Sequence, residues 1–236
     1  MNNEIKDFSH NDIQMDAPTP NSPKCADTDM NFKIEETDTD YKVIVGRLKI
    51  HLPKSEGTDR FVSVEKENRA IFWKYMPRST SQYENAVVAT LHYTENNPLN
   101  IDRYFSVKYE KADDSTALQY DISNKGIKES IIFGKDPACK VFSFEIKLKG
   151  LIPMLTEDEK NIFLIQDDAD FGDEIPEFKI PPSFMEDANG AFCDDMHYEI
   201  HKTKEGTFLH IVLDTDWLSN SERSYPVIID PHIEIL

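Results

Sequence analysis

The sequence predicts an all-β fold, a mainly antiparallel β-sandwich, large or double, behind a disordered N-terminal leader. Three observations predict it. Short runs rich in Val, Ile, Phe and Tyr recur about every 8–12 residues, fenced by Gly, Pro, Asn and Asp. Phe142, Phe144, Ile146 and Leu148 alternate with Ser143, Glu145 and Lys147, the pattern of a strand with one buried face. No segment carries the apolar stripe of an amphipathic helix.

In chain order, residues 1–38 are polar and acidic, with Pro18, Pro20 and Pro23. Such a segment cannot bury enough surface to offset the entropy of ordering, so it reads as a leader, with at most a short pairing strand near Asn31 to Ile34. From residue 39 to 236 the texture is that of the sandwich. Tyr41 to Pro53 is β-rich and stops at a proline. Phe61–Glu65 and Ala70–Met76 form a hairpin turned by Lys66 to Arg69. Strands follow at Ala86–Tyr93, Tyr104–Tyr109, Leu118–Ile122, Ile127–Phe133 and Lys140–Leu148, and Asn124-Lys-Gly126 supplies one of the turns. Ile162–Ile165, Phe178–Ile180, Cys193–His201 and Thr207–Leu213 continue the series, with a turn at Lys204-Glu-Gly206. Thr156-Glu-Asp-Glu159 resembles a capping box but is followed by strand chemistry, so it holds one turn at most. Asp216 to Glu222 reads as a helical turn or a loop. Tyr225 to Ile229 is a strand fenced by Pro226 and Pro231, with Asp230-Pro231 as its stop. The alternating run Ile233 to Leu236 beyond it is expected to be a severed connection or an exposed, sticky edge.

Composition narrows the function classes. With 26 basic and 44 acidic residues the net charge is −18, which repels nucleic acid and anionic lipid and makes both poor partners. Cys25, Cys139 and Cys193 are too few and too scattered for a disulfide framework or a CxxC metal site. No apolar run reaches membrane-spanning length, so membrane insertion is not expected. Met1 to Asp7 carries neither the basic nor the apolar part of a signal peptide, so no Sec address is expected.

Several motifs line up in order. Leu48-Lys-Ile-His-Leu-Pro53, Gly126-Ile-Lys128-Glu129, Phe142 to Leu151, Pro181-Pro-Ser-Phe-Met-Glu-Asp187-Ala-Asn-Gly190, Asp216-Trp217-Leu218 and Tyr225-Pro226-Val-Ile-Ile-Asp230-Pro231 span residues 41–231. Together they resemble a β-rich module of bacterial RHS-repeat, wall-associated and DNRLRE-domain proteins. The resemblance implies a non-catalytic structural or adhesive module of a secreted or surface protein. It packs against neighbouring domains or chains and contributes no catalytic residues. Lys128, Glu129, Asp187, Gly190, Trp217, Tyr225, Pro226, Asp230 and Pro231 are then structural motif positions.

Individual constellations carry further expectations. Asp167, Asp168, Asp170 and Asp173 sit on an acidic loop with Gly172 and are the candidate calcium ligands, although the spacing is one step short of an EF-hand loop. His197, Glu199 and His201 fall on one strand face and offer a zinc or iron set, or simply a polar outer face. Cys193 beside His197 reads as a buried thiol rather than a catalytic dyad. Trp73 reads as core and Trp217 as a plug at one end of the sandwich. Trp217, Tyr75, Tyr83 and Tyr104 are the candidate sugar-stacking platform of the alternative function, a carbohydrate-binding module. No nucleotide loop, nucleophile elbow or metalloprotease motif is present, so no cofactor beyond calcium and no enzyme is expected. A hydrolase would need a pocket with convergent polar groups.

Overall fold

The computed structural model of the chain describes residues 32–54, 61–76, 86–97, 100–110, 116–123, 126–137, 140–168 and 175–236, with the backbone alone for 86–97, 100–104 and 110. The fold is an all-β sandwich of two large antiparallel sheets.

The chain lays down β1 (Phe32–Glu36), β2 (Asp40–Val45), β3 (Leu48–Pro53), β4 (Val62–Lys66) and β5 (Arg69–Tyr75) as successive neighbours in the first sheet. It then crosses to the second for β6 (Ala86–Asn97), β7 (Asn100–Glu110), β8 (Thr116–Ser123) and β9 (Gly126–Phe133). β10 (Val141–Lys149) returns to the first sheet beside β5. β11 (Leu151–Leu155), β12 (Ile162–Gln166), β13 (Pro176–Ile180), β14 (Met185–Asp187) and β15 (Phe192–Cys193) belong to the second. β16 (His197–Lys202) and β17 (Thr207–Val212) close the first, in the order β1-β2-β3-β4-β5-β10-β17-β16. A single helical turn, α1 (Thr215–Leu218), leads to β18 (Val227–Ile229) and β19 (His232–Ile235) in the second sheet.

Alternation decides what lies between the sheets. Phe142, Phe144 and Ile146 of β10 are buried, whereas Ser143, Glu145 and Lys147 of the same strand face outward. Rings meet across the sandwich: Phe133 lies 5.0 Å from Phe142, Trp73 lies 6.2 Å from Tyr120, and Tyr41 lies 5.5 Å from Phe105. Tyr109 sends its hydroxyl to the Pro53 carbonyl, 2.7 Å away, so its polar tip is satisfied inside the core. Trp73 is buried, as its strand context predicted.

Four local features sharpen or correct the sequence reading. Tyr41–Pro53 is two strands rather than one, because Gly46 takes a φ of 59° and turns β2 into β3. β1 pairs with β2, so strand structure reaches into the segment read as leader; residues 1–31 lie outside the described residues. Thr156–Glu159 is a hairpin turn between β11 and β12, closed by the Glu159 amide on the Thr156 carbonyl at 2.9 Å.

The fourth concerns Asp230-Pro231, which does not stop the strand. β18 pairs with Phe133–Ile131 of β9, and β19 continues along the same strand with Lys128–Gly126. Between them the Glu129 amide donates to the Pro231 carbonyl at 3.0 Å. The proline removes a donor but keeps its acceptor, so the ladder survives the interruption. The kink changes the outer neighbour: β18 pairs with β14, β19 with β13. Ile233 is therefore a core residue inside a sheet and not a sticky edge. The Leu236 carbonyl accepts from Lys66 at 2.8 Å, and Lys66 also pairs with Glu177 at 2.7 Å, joining the two sheets at one end.

Candidate active site

β16 and β17 form a hairpin at the end of the first sheet. Its turn is closed by the Thr203 amide on the Gly206 carbonyl at 2.8 Å and by the Glu205 amide on Thr203 Oγ1 at 3.1 Å. This pairs Lys202 with Thr207 and places Glu199 directly opposite His210. Tyr198 points inward and is buried, so His197, Glu199 and His201 share the outer face. On the neighbouring strand Leu209 and Ile211 point inward and His210 outward.

The side chains converge. Glu199 Oε2 lies 2.7 Å from His201 Nε2 and 3.6 Å from His210 Nδ1, while Oε1 lies 3.7 Å from His197 Nε2. The His201 and His210 rings stand 4.4 Å apart. The hydrogen bond from His201, followed by the charges of His201, His197 and His210, holds the Glu199 carboxyl below the usual carboxylate range. The group remains open to solvent, with side-chain exposures of 41% for Glu199, 50% for His201 and 26% for His210. On the same outward face, Ser143 of β10 is the register partner of His210. One step further along β10, Glu145 binds Lys74 at 3.0 Å and Lys147 at 3.5 Å. A carboxylate and imidazoles at this spacing can hold a cation or pass a proton.

The sequence identified three of these residues and missed His210. The missing signal was register: a turn at 203–206 that pairs Lys202 with Thr207 brings His210 opposite Glu199.

The other candidates separate. In the acidic loop Asp168 is bound by Arg69 at 3.1 Å, and Asp167 lies in the same turn, whereas Asp170 and Asp173 lie outside the described residues. Of the proposed sugar platform, Tyr75 is packed on Phe142 and Phe144 at 5.9 and 5.6 Å, so its ring belongs to the core margin. Trp217 is covered by the Arg223 guanidinium at 4.1 Å. Tyr83 and the Tyr104 side chain lie outside the described residues. Cys193 is buried, and burial pushes its thiol up, away from the reactive thiolate.

The motif positions form a frame around β9, β14 and β18. Asp187 is buried and accepts from the amides of Asn189 and Ala191 at 2.9 Å, from Ser224 at 3.2 Å and from the Arg223 guanidinium at 3.1 Å. Burial alone would raise its carboxyl; the Ala191, Ser224 and Asn189 amides and the Arg223 charge outweigh this and hold it low. Gly190 turns the loop at a φ of 80°. Tyr225-Pro226 is a cis peptide that opens β18. Asp230 takes Lys128 at 2.8 Å. Glu129 is buried and accepts from the Tyr120 hydroxyl at 2.6 Å; burial pushes its carboxyl up to about 7. Among the described residues no helix is long and apolar enough to cross a membrane.

No family model matches the chain, and no solved structure matches it. Curated relatives do. The chain is 31% identical over 123 residues to the tRNA3(Ser)-specific nuclease WapA of Bacillus spizizenii, to the tRNA(Glu)-specific nuclease WapA of Bacillus subtilis subsp. natto and to the tRNA nuclease WapA of Bacillus subtilis. The matched segment is 48% of this chain and spans about 5% of the length of each relative. These relatives overturn three expectations: a non-catalytic structural or adhesive module with carbohydrate binding as its alternative, the absence of enzyme activity, and the exclusion of nucleic acid as a partner. The proteins that share this sequence are named for cleaving tRNA. Net charge is no ground for that exclusion, because it sums a whole surface, whereas contact with a phosphate is decided by a few groups.

Proposed function

We propose that the chain belongs to a tRNA-cleaving protein of the WapA kind, and that its His/Glu face is where it meets the RNA. The observation that carries this reading is the 31% identity to three proteins each named as a tRNA nuclease. Tyr225 to Pro231 and the motifs before it resemble those of bacterial wall-associated, RHS-repeat and DNRLRE-domain proteins, which supports a place in a large bacterial protein. Cleavage at an RNA 2′-hydroxyl needs one group to take a proton and another to return it. Glu199 and His201 stand at hydrogen-bonding distance, 2.7 Å, with His210 3.6 Å from the same carboxylate oxygen, on an open face. On the same side Lys74 and Lys147 share the single carboxylate of Glu145, so the cluster carries a net positive charge, which an RNA backbone requires of a chain at −18.

The test is to incubate total tRNA with the chain and resolve the products on a denaturing gel. Discrete fragments are expected, formed at least about 100-fold more slowly by a His201→Ala/His210→Ala double variant. Intact tRNA across acid, neutral and alkaline buffers refutes the reading. Cleavage undiminished in the double variant refutes the assignment to this face.

A further inference from the structure

The face described above has a donor set that goes beyond proton transfer. We propose that Glu199 Oε2, His201 Nε2 and His210 Nδ1 together hold one divalent transition-metal ion, zinc first among them, with a coordination position left open to solvent. Two imidazoles and one carboxylate are a zinc-type set, whereas calcium and magnesium demand several oxygens that this donor set does not supply.

The distances suit the ion. Bonds of about 2.0–2.1 Å in tetrahedral geometry put ligand atoms about 3.3 Å from one another. Here the carboxylate oxygen stands 2.7 Å from one imidazole nitrogen and 3.6 Å from the other, and the three ligand atoms all lie within 4.8 Å. Rotamer adjustments of the exposed side chains close the remaining gap.

The backbone fixes the approach. Glu199 and His201 are two residues apart on one strand, and His210 faces Glu199 across the ladder, so the hairpin delivers all three to one point. His197, 3.7 Å from the second carboxylate oxygen, is placed to orient Glu199 by a hydrogen bond once the first oxygen is committed to the ion. The surrounding charge of −18 favours cation capture. Three protein ligands with a free position are the arrangement of reactive zinc, which activates bound water, rather than of closed structural zinc. The site stands on this geometry and does not depend on the RNA reading.

The experiment is isothermal titration of the chelator-treated chain with zinc chloride, paired with cobalt(II) substitution read by its visible absorption. One equivalent is expected to bind, with intense tetrahedral-type cobalt bands. Affinity should fall at least tenfold in His201→Ala and in His210→Ala. It should be unchanged in His51→Ala, an imidazole on β3 with β4, β5 and β10 between it and the site. Glu199→Gln is the second variant should an alanine variant fail to give the wild-type circular dichroism spectrum. Failure of the wild-type chain to bind a single equivalent, or equal affinity in the His201→Ala/His210→Ala double variant, overturns the site. Zinc bound by a chain that leaves tRNA intact sinks the nuclease reading and keeps this one; tRNA cleaved in EDTA by a chain that takes no zinc does the reverse.

Discussion

Glu129 is a carboxyl whose folded and unfolded states differ in proton affinity. It is buried, its one side-chain partner of short distance is the Tyr120 hydroxyl, and its carboxyl is raised from 4.5 to about 7. A raised folded value means that the native state holds the proton more tightly than the unfolded chain. The stabilisation is therefore complete below about pH 4.5 and is lost as pH rises through about 7. A shift of this size corresponds to roughly 3 kcal/mol. Glu129→Gln keeps the shape and removes the ionisation, so its stability relative to wild type should climb by that order between acid and mildly alkaline buffer, measured as paired urea midpoints. A difference that does not change with pH would contradict the burial argument. The sequence placed Glu129 in a motif but gave no sign of this: the period of the strand places Lys128 outward, yet only the packing of β5 and β8 determines that Glu129 meets Tyr120 rather than water.

At the scale of elements, the junction of β18 and β19 governs how the second sheet is assembled. Gly126 sits at the start of β9 with a φ of 136°, and a Cβ there would lie 2.6 Å from the Ile233 carbonyl oxygen of β19. Neither backbone can yield without breaking the pairing. Gly126→Ala should therefore cost about 2 kcal/mol or more. Gly190→Ala, at a φ of 80° where the nearest atom is a Glu186 carboxylate oxygen at 3.9 Å, should cost about 1 kcal/mol. Chemical denaturation of the two variants checks the ranking, and equal costs would remove the close-approach argument. Strands with one polar face, such as β10 and β17, could be read from alternation alone. β14 and β15 could not, because each is short and takes its identity from the strand beside it, and for β19 the alternation was visible but not its place inside the sheet.

For the whole molecule, one core serves both sheets. Trp73, Phe142 and Phe144 of the first sheet join Tyr120, Phe133 and Phe178 of the second in a single cluster. Lys66 and Arg69 reach from the first to Glu177 and Gln166 of the second. Sheets that share a core cannot unfold separately without exposing each other's inner face. Calorimetry of the chain should accordingly show one transition with equal van't Hoff and calorimetric enthalpies; two resolved transitions would mean that the sheets are independent. The same scale limits what net charge can say about function. A sum of −18 describes the long-range field, but His197, Glu199, His201 and His210 form a local site that a sum does not reveal.

The sequence by itself determined the fold class, the inward faces of the long strands and the presence of His197, Glu199 and His201 on one side of β16. These follow from the two-residue period of a strand, a property of each segment alone. Only the tertiary structure decided that His210 completes the group, that Asp230-Pro231 passes the chain from one neighbour to another, and that Ile233 lies in the core. Those outcomes depend on which strands become neighbours, and strand pairing is settled by contacts between residues far apart in the chain, where the periodicity of any one segment carries no information.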